Sequence, residues 1–165
     1  MLPTLLGRWQ TRVFLLIFVG LPISAVYAIW LARFAPVVGR FFPPWIRPLG
    51  PVVYDVRPLQ VLCLLFVVGI VLDPLYIFLQ KFRWDRDWPF VFQFFVSIME
   101  FFIVLGLIRA DVLPFMPARW LGENDYRYFF LHFGLVFVPS FLALLGFIQI
   151  FMVRWRYKGG EWGRL

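Results

Sequence analysis

Cysteine, histidine and acidic residues are scarce in this 165-residue chain. It contains one Cys (Cys63), one His (His132) and nine Asp and Glu, against 16 Lys and Arg. A single cysteine excludes an internal disulfide, and one histidine cannot supply both axial ligands of a bis-histidine haem. The chain has no His/Cys cluster able to hold zinc and no HExxH, CxxC, GxSxG or Gly-rich phosphate-loop motif. We therefore predict no metal site and assign no catalytic residue.

Charge is also sparse, because only 15% of the residues are charged while 62% are hydrophobic and the mean hydropathy is +0.83. A soluble domain carries roughly 25% charged residues and about half apolar ones. Aromatic residues reach 22%, which suits side chains that meet both lipid tails and headgroups. This composition predicts an integral membrane protein, with the lipid bilayer as its first partner. The basic residues lie mainly between the apolar runs, so the net charge of +7 indicates lipid headgroups and not nucleic acid.

Four long apolar runs divide the chain. About 20 helical residues cover the roughly 30 Å hydrocarbon core, and the runs are too long for buried strands and lack period-2 alternation. We predict an all-α fold, a single polytopic domain over residues 1–165 built as a bundle of about four transmembrane helices with Pro-rich interfacial connectors. The predicted spans are residues 13–32, 59–80, 88–108 and 128–153.

A cleavable signal peptide is the alternative interpretation of the first run. It has a basic start, an apolar stretch to Leu21, a break at Pro22 and small residues near Ala28. We interpret the run as a membrane helix.

Orientation follows from the Lys and Arg residues near the ends of the spans. Four spans place the two long connectors, 33–58 and 109–127, on one side and the termini with the 81–87 connector on the other. The terminal side carries nine basic residues and the connector side seven, a small excess that favours cytoplasmic termini. We expect a bacterial cytoplasmic membrane or an organellar inner membrane. The nine are Arg8, Arg12, Lys81, Arg83, Arg86, Arg154, Arg156, Lys158 and Arg164, and the seven are Arg33, Arg40, Arg47, Arg57, Arg109, Arg119 and Arg127.

Glu100 is the most informative polar residue. A carboxylate near the bilayer centre costs at least about 2.5 kcal/mol, so it should face protein or water. Gln93, Ser97 and Glu100 are spaced by four and three residues, which places them on one helical stripe. The stripe predicts either a proton or cation relay or a structural hydrogen bond to another helix.

Two further residues interrupt the apolar runs. His132 lies about one turn into the fourth span; we expect a hydrogen bond to a nearby carbonyl, with contact to Glu100 or ligation of a single haem or pigment as alternatives. No other cofactor is predicted. Asp73 precedes Pro74, and we expect it to bond a freed backbone group or to pair with Lys81 or Arg83.

Interfacial candidates lie at the ends of the spans. Arg57 follows Asp55 by two residues, a spacing that favours an ion pair at the interface. Arg109, Arg119 and Asp125 flank the third and fourth spans. A site that processes lipid headgroups is an alternative for one cluster near this face, although interfacial anchoring explains it equally well. The cluster consists of Arg119, Glu123, Asp125, Tyr126 and His132.

Three functions are compatible with these features. The first is a small accessory or scaffold subunit of a larger membrane complex, which acts by helix packing and has other membrane subunits as partners. The second is an oligomeric proton- or ion-coupled transporter or channel component that uses Glu100. The third is a membrane enzyme acting on lipid headgroups. Four short-tailed spans without a catalytic motif favour the first.

Overall fold

The computed structural model describes residues 5–34, 55–82, 90–116 and 125–147. This part of the chain is helical, and four of its helical stretches are long and apolar enough to cross a membrane. The elements are α1 (Leu5–Leu15), a π-helical turn (Leu16–Gly20), α2 (Leu21–Phe34), α3 (Arg57–Gln80), α4 (Phe90–Arg109), α5 (Asp125–Leu142) and a second π-helical turn (Ala143–Phe147).

The helices alternate in direction. Side chains near the start of α1 meet the last third of α3, while Tyr27 of α2 bonds Tyr128 at the start of α5. One end of the bundle therefore holds the start of α1 and the end of α3, and we call it the N-terminal end. The other, the connector end, holds the end of α2 and the start of α3.

The first helix begins at Leu5, eight residues before the predicted start at Val13. Arg8 and Arg12 consequently lie on the helix and not ahead of it. Carboxylates on α3 and α4 accept hydrogen bonds from these arginines, so the two cations can be held within the bundle. The predicted span begins after both arginines because hydropathy assigns each arginine a cost without its partners.

The π-helical turn lies directly before Pro22. Its Leu21 N–H donates to the Leu16 carbonyl, a bond that spans five residues where an α-helix spans four. In a regular helix the Pro22 ring would press against the carbonyl of Phe18. The wider turn relieves that contact and leaves α1 and α2 as one continuous helical rod, with one residue more than an α-helix would use.

The start of α3 is fixed by Asp55. Its carboxylate accepts the Arg57 backbone N–H at 2.9 Å, where a negative charge favours a helix start, and Pro58 occupies the first turn. The Asp55 backbone N–H donates to the Ala28 carbonyl at 3.0 Å. The backbone just before α3 is therefore hydrogen-bonded to α2.

The core lies between α3, α4 and α5. Stacked Phe rings fill the gap between α4 and α5, with centroids 4.1 Å apart for Phe101 and Phe133 and 5.0 Å for Phe101 and Phe129. The buried members of this cluster are Val61, Phe101, Val104, Ile108, Met116 and Phe129.

Candidate functional site: a buried ionic cluster and a polar pocket

Asp73 is fully buried on α3 and holds two arginines of α1. Arg12 Nε lies 2.8 Å from Asp73 Oδ2 and Arg12 Nη2 lies 3.0 Å from Oδ1, so the guanidinium fork meets the carboxylate edge-on. Arg8 Nε donates to Asp73 Oδ1 at 3.1 Å. Asp73 thus joins α3 to two successive turns of α1.

Glu100 of α4, 3% exposed, binds the other edge of the same guanidinium. Arg12 Nη2 lies 2.6 Å from Glu100 Oε1 and Nη1 lies 3.1 Å from Oε2. Arg12 therefore bridges carboxylates on two different helices. Arg8, Arg12, Asp73 and Glu100 form a set of balanced charge, which we call the ionic cluster.

Gly69 makes room for this bridge. A Cβ at Gly69 would lie 2.6 Å from Arg12 Cζ. Any side chain at this position would therefore require the Arg12 guanidinium to move. Gly69 is one turn before Asp73 on α3, so the same helix face supplies both the space and the anion. Arg8 also lies 5.6 Å above the ring of the buried Tyr76, a distance at which a cation attracts an aromatic face.

The ionic cluster changes two predictions. Asp73 was expected to bond a freed backbone group or to pair with Lys81 or Arg83, and the structure pairs it with Arg8 and Arg12; Arg83 lies outside the described residues. The alternative contact between Glu100 and His132 is wrong, because Glu100 binds Arg12. Arg12 is the residue that sequence reasoning missed. Two carboxylates inside apolar runs, with Arg8 and Arg12 one helical turn apart, were the available signal.

Gln93 and Ser97 share the less exposed side of α4 with Glu100 but form a separate contact. Ser97 Oγ donates to the Gln93 carbonyl at 3.0 Å within the helix. Gln93 Oε1 is buried and has no hydrogen-bond partner within the described ranges. Neither residue contacts the ionic cluster through a hydrogen bond among the described residues.

A second polar group joins α2 to α5 near the connector end. His132 and Ser24 are both buried, and their Nε2 and Oγ atoms lie 2.8 Å apart. Tyr27 donates its hydroxyl to the Tyr128 carbonyl at 2.8 Å. The Tyr27 ring lies 5.1 Å from the imidazole, so His132 has an aromatic neighbour as well as a hydroxyl partner. The expected carbonyl partner of His132 is replaced by Ser24.

A small cavity opens beside this group, with a volume of about 50 Å³. All four helical stretches contribute to its wall. The volume holds a few water molecules and is far too small for a haem or chlorophyll ring. The lining is mainly apolar, and its residues are Tyr27, Leu31, Arg57, Pro58, Val61, Ile108, Met116, Tyr128, Phe129 and His132.

Arg57 at this cavity pairs with Asp55, as its spacing indicated. Arg57 Nη2 lies 2.9 Å from Asp55 Oδ2 and Nε lies 3.0 Å from the same oxygen. Asp55 is 1% exposed, so its negative charge is held against the guanidinium. The pair brings little net charge to the cavity.

The other interfacial candidates do not assemble into a site among the described residues. Arg109 lies 5.4 Å above the Tyr126 ring, a contact between the end of α4 and the start of α5. Arg119 lies outside the described residues, and so does the side chain of Asp125, whose backbone begins α5.

The two polar groups are separated by hydrocarbon. Arg12 and Ser24 are 12 residues apart on one rod, or about 18 Å. Between the two levels lie the buried side chains Phe101 and Val104 and the half-buried Leu65 and Val68. The described side chains therefore show no continuous polar path along the bundle.

No family model, curated protein or solved structure is similar to this chain. Function must therefore be inferred from the geometry. Within the four described segments, no group of three or more His, Cys, Asp or Glu is placed to hold a metal ion.

Proposed function

We propose that this chain is an integral membrane protein that acts by helix packing, as a small structural subunit of a larger membrane complex. The observation that carries the proposal is the arrangement of the interior charges. Asp73 and Glu100 both bind Arg12, so the ionisable groups hold α1, α3 and α4 together. A buried ion pair is weak evidence for stability, and we infer that this cluster fixes which faces of the three helices meet.

The outer surface supports the same proposal. Large apolar side chains are exposed on every helix, among them Phe18, Val26, Val71, Phe95, Phe102 and Leu142. Such a surface meets either lipid tails or the helices of neighbouring subunits. A rigid bundle with an apolar exterior is suited to packing within a membrane.

Purification in a gentle detergent tests this function directly. We expect the tagged chain to co-elute with other membrane proteins in fixed stoichiometry, identified by mass spectrometry, with an absorption spectrum recorded for any pigment in the complex. A pure homo-oligomer without a partner, obtained from its natural host at native expression level, would contradict the proposal.

Coupled transport is a second candidate, favoured by the two carboxylates that share one arginine inside a span. Arg12 retains 23% exposure of its side chain, so the described residues do not fully enclose the ionic cluster. Because the described core shows no continuous polar path, a pore would need to lie between protomers.

Glu100→Gln separates the two candidates. A packing subunit should lose assembly with its partners, because one carboxylate of the bridge becomes neutral. A transporter component should assemble normally and lose ion or proton flux when reconstituted in vesicles. Ser97→Ala is the matched control, since among the described residues Ser97 bonds only the Gln93 carbonyl of its own helix, and we expect it to leave both properties unchanged.

A further inference from the structure

The cavity at the connector end has the chemistry of a binding site for a ring. It lies where all four helical stretches meet, and its wall combines the aromatic side chains of Tyr27, Tyr128 and Phe129 with the imidazole of His132. Apolar walls with a few convergent polar groups are typical of small-molecule sites. Tyr27 and His132 each lie seven residues, or about two turns, from the connector end of their helices α2 and α5.

His132 has one ring nitrogen available to a ligand. Nε2 is engaged by Ser24 Oγ, and Nδ1 has no hydrogen-bond partner among the described residues. A neutral imidazole has one donor and one acceptor nitrogen. When Ser24 donates to Nε2, the Nδ1–H donates to a carbonyl oxygen; in the other tautomer, Nδ1 accepts a hydroxyl hydrogen.

We propose that this pocket binds the head of a membrane-soluble quinone or quinol, with one ring oxygen hydrogen-bonded to His132 Nδ1. The two oxidation states present a carbonyl and a hydroxyl, which the two tautomers of His132 match in turn. One edge of the ring enters the cavity of about 50 Å³, and the rest of the head and its tail lie outside the cavity. The side chains of Tyr27 and Tyr128 line the cavity, and aromatic rings pack favourably against a ring of this kind.

The pocket fits this ligand better than a phospholipid. A phospholipid would bring its phosphate to Arg57, whose guanidinium is already bound by Asp55. The polar atom available to a ligand lies instead on His132, one turn further into α5 than Tyr128. This arrangement suits a head that enters the protein while its tail leaves toward the bilayer.

Binding of a short-tailed benzoquinone to the purified full-length chain in phosphatidylcholine nanodiscs tests the proposal. We expect saturable, stoichiometric binding by calorimetry. His132→Phe keeps an aromatic ring but removes both nitrogens, and it should weaken binding about tenfold. Leu31→Trp should abolish binding by filling the cavity while leaving His132 and Ser24 unchanged. Phe95→Ala, at an exposed side chain of α4, is the control and should bind as the parent does.

The proposal is overturned if the parent shows only non-saturable partitioning, or if both pocket variants bind as tightly as Phe95→Ala. It is equally overturned if a phospholipid co-purifies at one per chain and the quinone cannot displace it. If His132→Phe alone fails to fold, the Ser24→Ala/His132→Phe double variant replaces it, because removing both partners leaves no buried hydroxyl unpaired. Binding is measured on the isolated chain, so the result is independent of whether the chain has partner subunits.

Discussion

Gly69 determines whether Arg12 can lie between its two carboxylates. The guanidinium occupies the space that a side chain at position 69 would take, since a Cβ there would lie 2.6 Å from Arg12 Cζ. A glycine within a helix normally weakens it by about 0.5–1 kcal/mol relative to alanine. Here the absence of a side chain is what permits the ionic cluster to form.

Gly69→Ala should therefore destabilise the protein by about 1–3 kcal/mol, because the new methyl group displaces Arg12 from Asp73 and Glu100. Unfolding in mixed micelles, followed by far-ultraviolet circular dichroism, measures the change. Gly106→Ala is the matched control: Gly106 lies in α4 and a Cβ there meets nothing within 4 Å. We expect it to be neutral or stabilising by up to about 1 kcal/mol. Equal losses in the two variants would refute the role given to Gly69.

The Arg12–Glu100 bridge can be measured by a double-mutant cycle. Arg12→Gln alone leaves two buried carboxylates short of a cation and should cost about 3–5 kcal/mol. Glu100→Gln alone leaves Arg12 with Asp73, so its cost should be smaller. The Arg12→Gln/Glu100→Gln double variant should show a coupling energy of about 1–3 kcal/mol. Additive losses in the same unfolding assay would mean that the two side chains do not interact.

At the scale of helices, the rod formed by α1 and α2 depends on its π-helical turn. The extra residue between Leu16 and Gly20 sets the rotation of α1 relative to α2. Arg12 thereby faces α3 and α4 while Ser24 faces α5. The rod therefore supplies side chains to both polar groups. Adding or removing one residue between Arg12 and Ser24 would rotate one of them relative to the other by about 100°.

Deletion of Phe18 tests this register. We expect the turn to revert to a regular α-helix and to rotate the two halves of the rod, so that either the ionic cluster or the Ser24–His132 bond is lost, at a cost of about 3 kcal/mol or more. Phe18→Ala is the control, because the side chain is 64% exposed and its ring contacts Phe14; its cost should stay within about 1 kcal/mol. A deletion variant as stable as the control would show that the π-helical turn is dispensable.

The sequence predicted the helices better than their contacts. Hydropathy and length predicted four helices, and the described residues contain four of suitable length and composition. The predicted first span begins at Val13, inside a helical stretch that begins at Leu5, because Arg8 and Arg12 count against a span until their partners are known. Those partners, Asp73 and Glu100, lie 61 and 88 residues away from Arg12 along the chain, and no local pattern encodes such a pairing. The Asp55–Arg57 pair was predictable because its two residues are neighbours in sequence.

At the scale of the whole molecule, the ionic cluster bears on orientation. Arg8 and Arg12 lie on the first helical stretch and bind carboxylates, so they no longer count as basic residues flanking a span. Arg57 begins α3 and pairs with Asp55 in the same way, so seven basic residues remain on the terminal side and six on the connector side. The excess that favoured cytoplasmic termini falls from two residues to one.

Orientation in the membrane should consequently respond to very few charges. We expect Arg83→Ala/Arg86→Ala to move the C-terminus of a measurable fraction of molecules to the opposite side, detected with a C-terminal reporter that is active on one side only. Arg8→Ala/Arg12→Ala is the comparison, and it should alter stability and not orientation. An unchanged reporter signal in the first variant would show that orientation is set by something other than flanking charge.

The space above Gly69 also has an evolutionary consequence. Arg12 and a side chain at position 69 exclude one another, while Arg12 and the acids at positions 73 and 100 require one another. Homologous chains should therefore change these positions together. A larger residue at 69 should appear where position 12 is no longer arginine and where at least one of the two acids has become neutral.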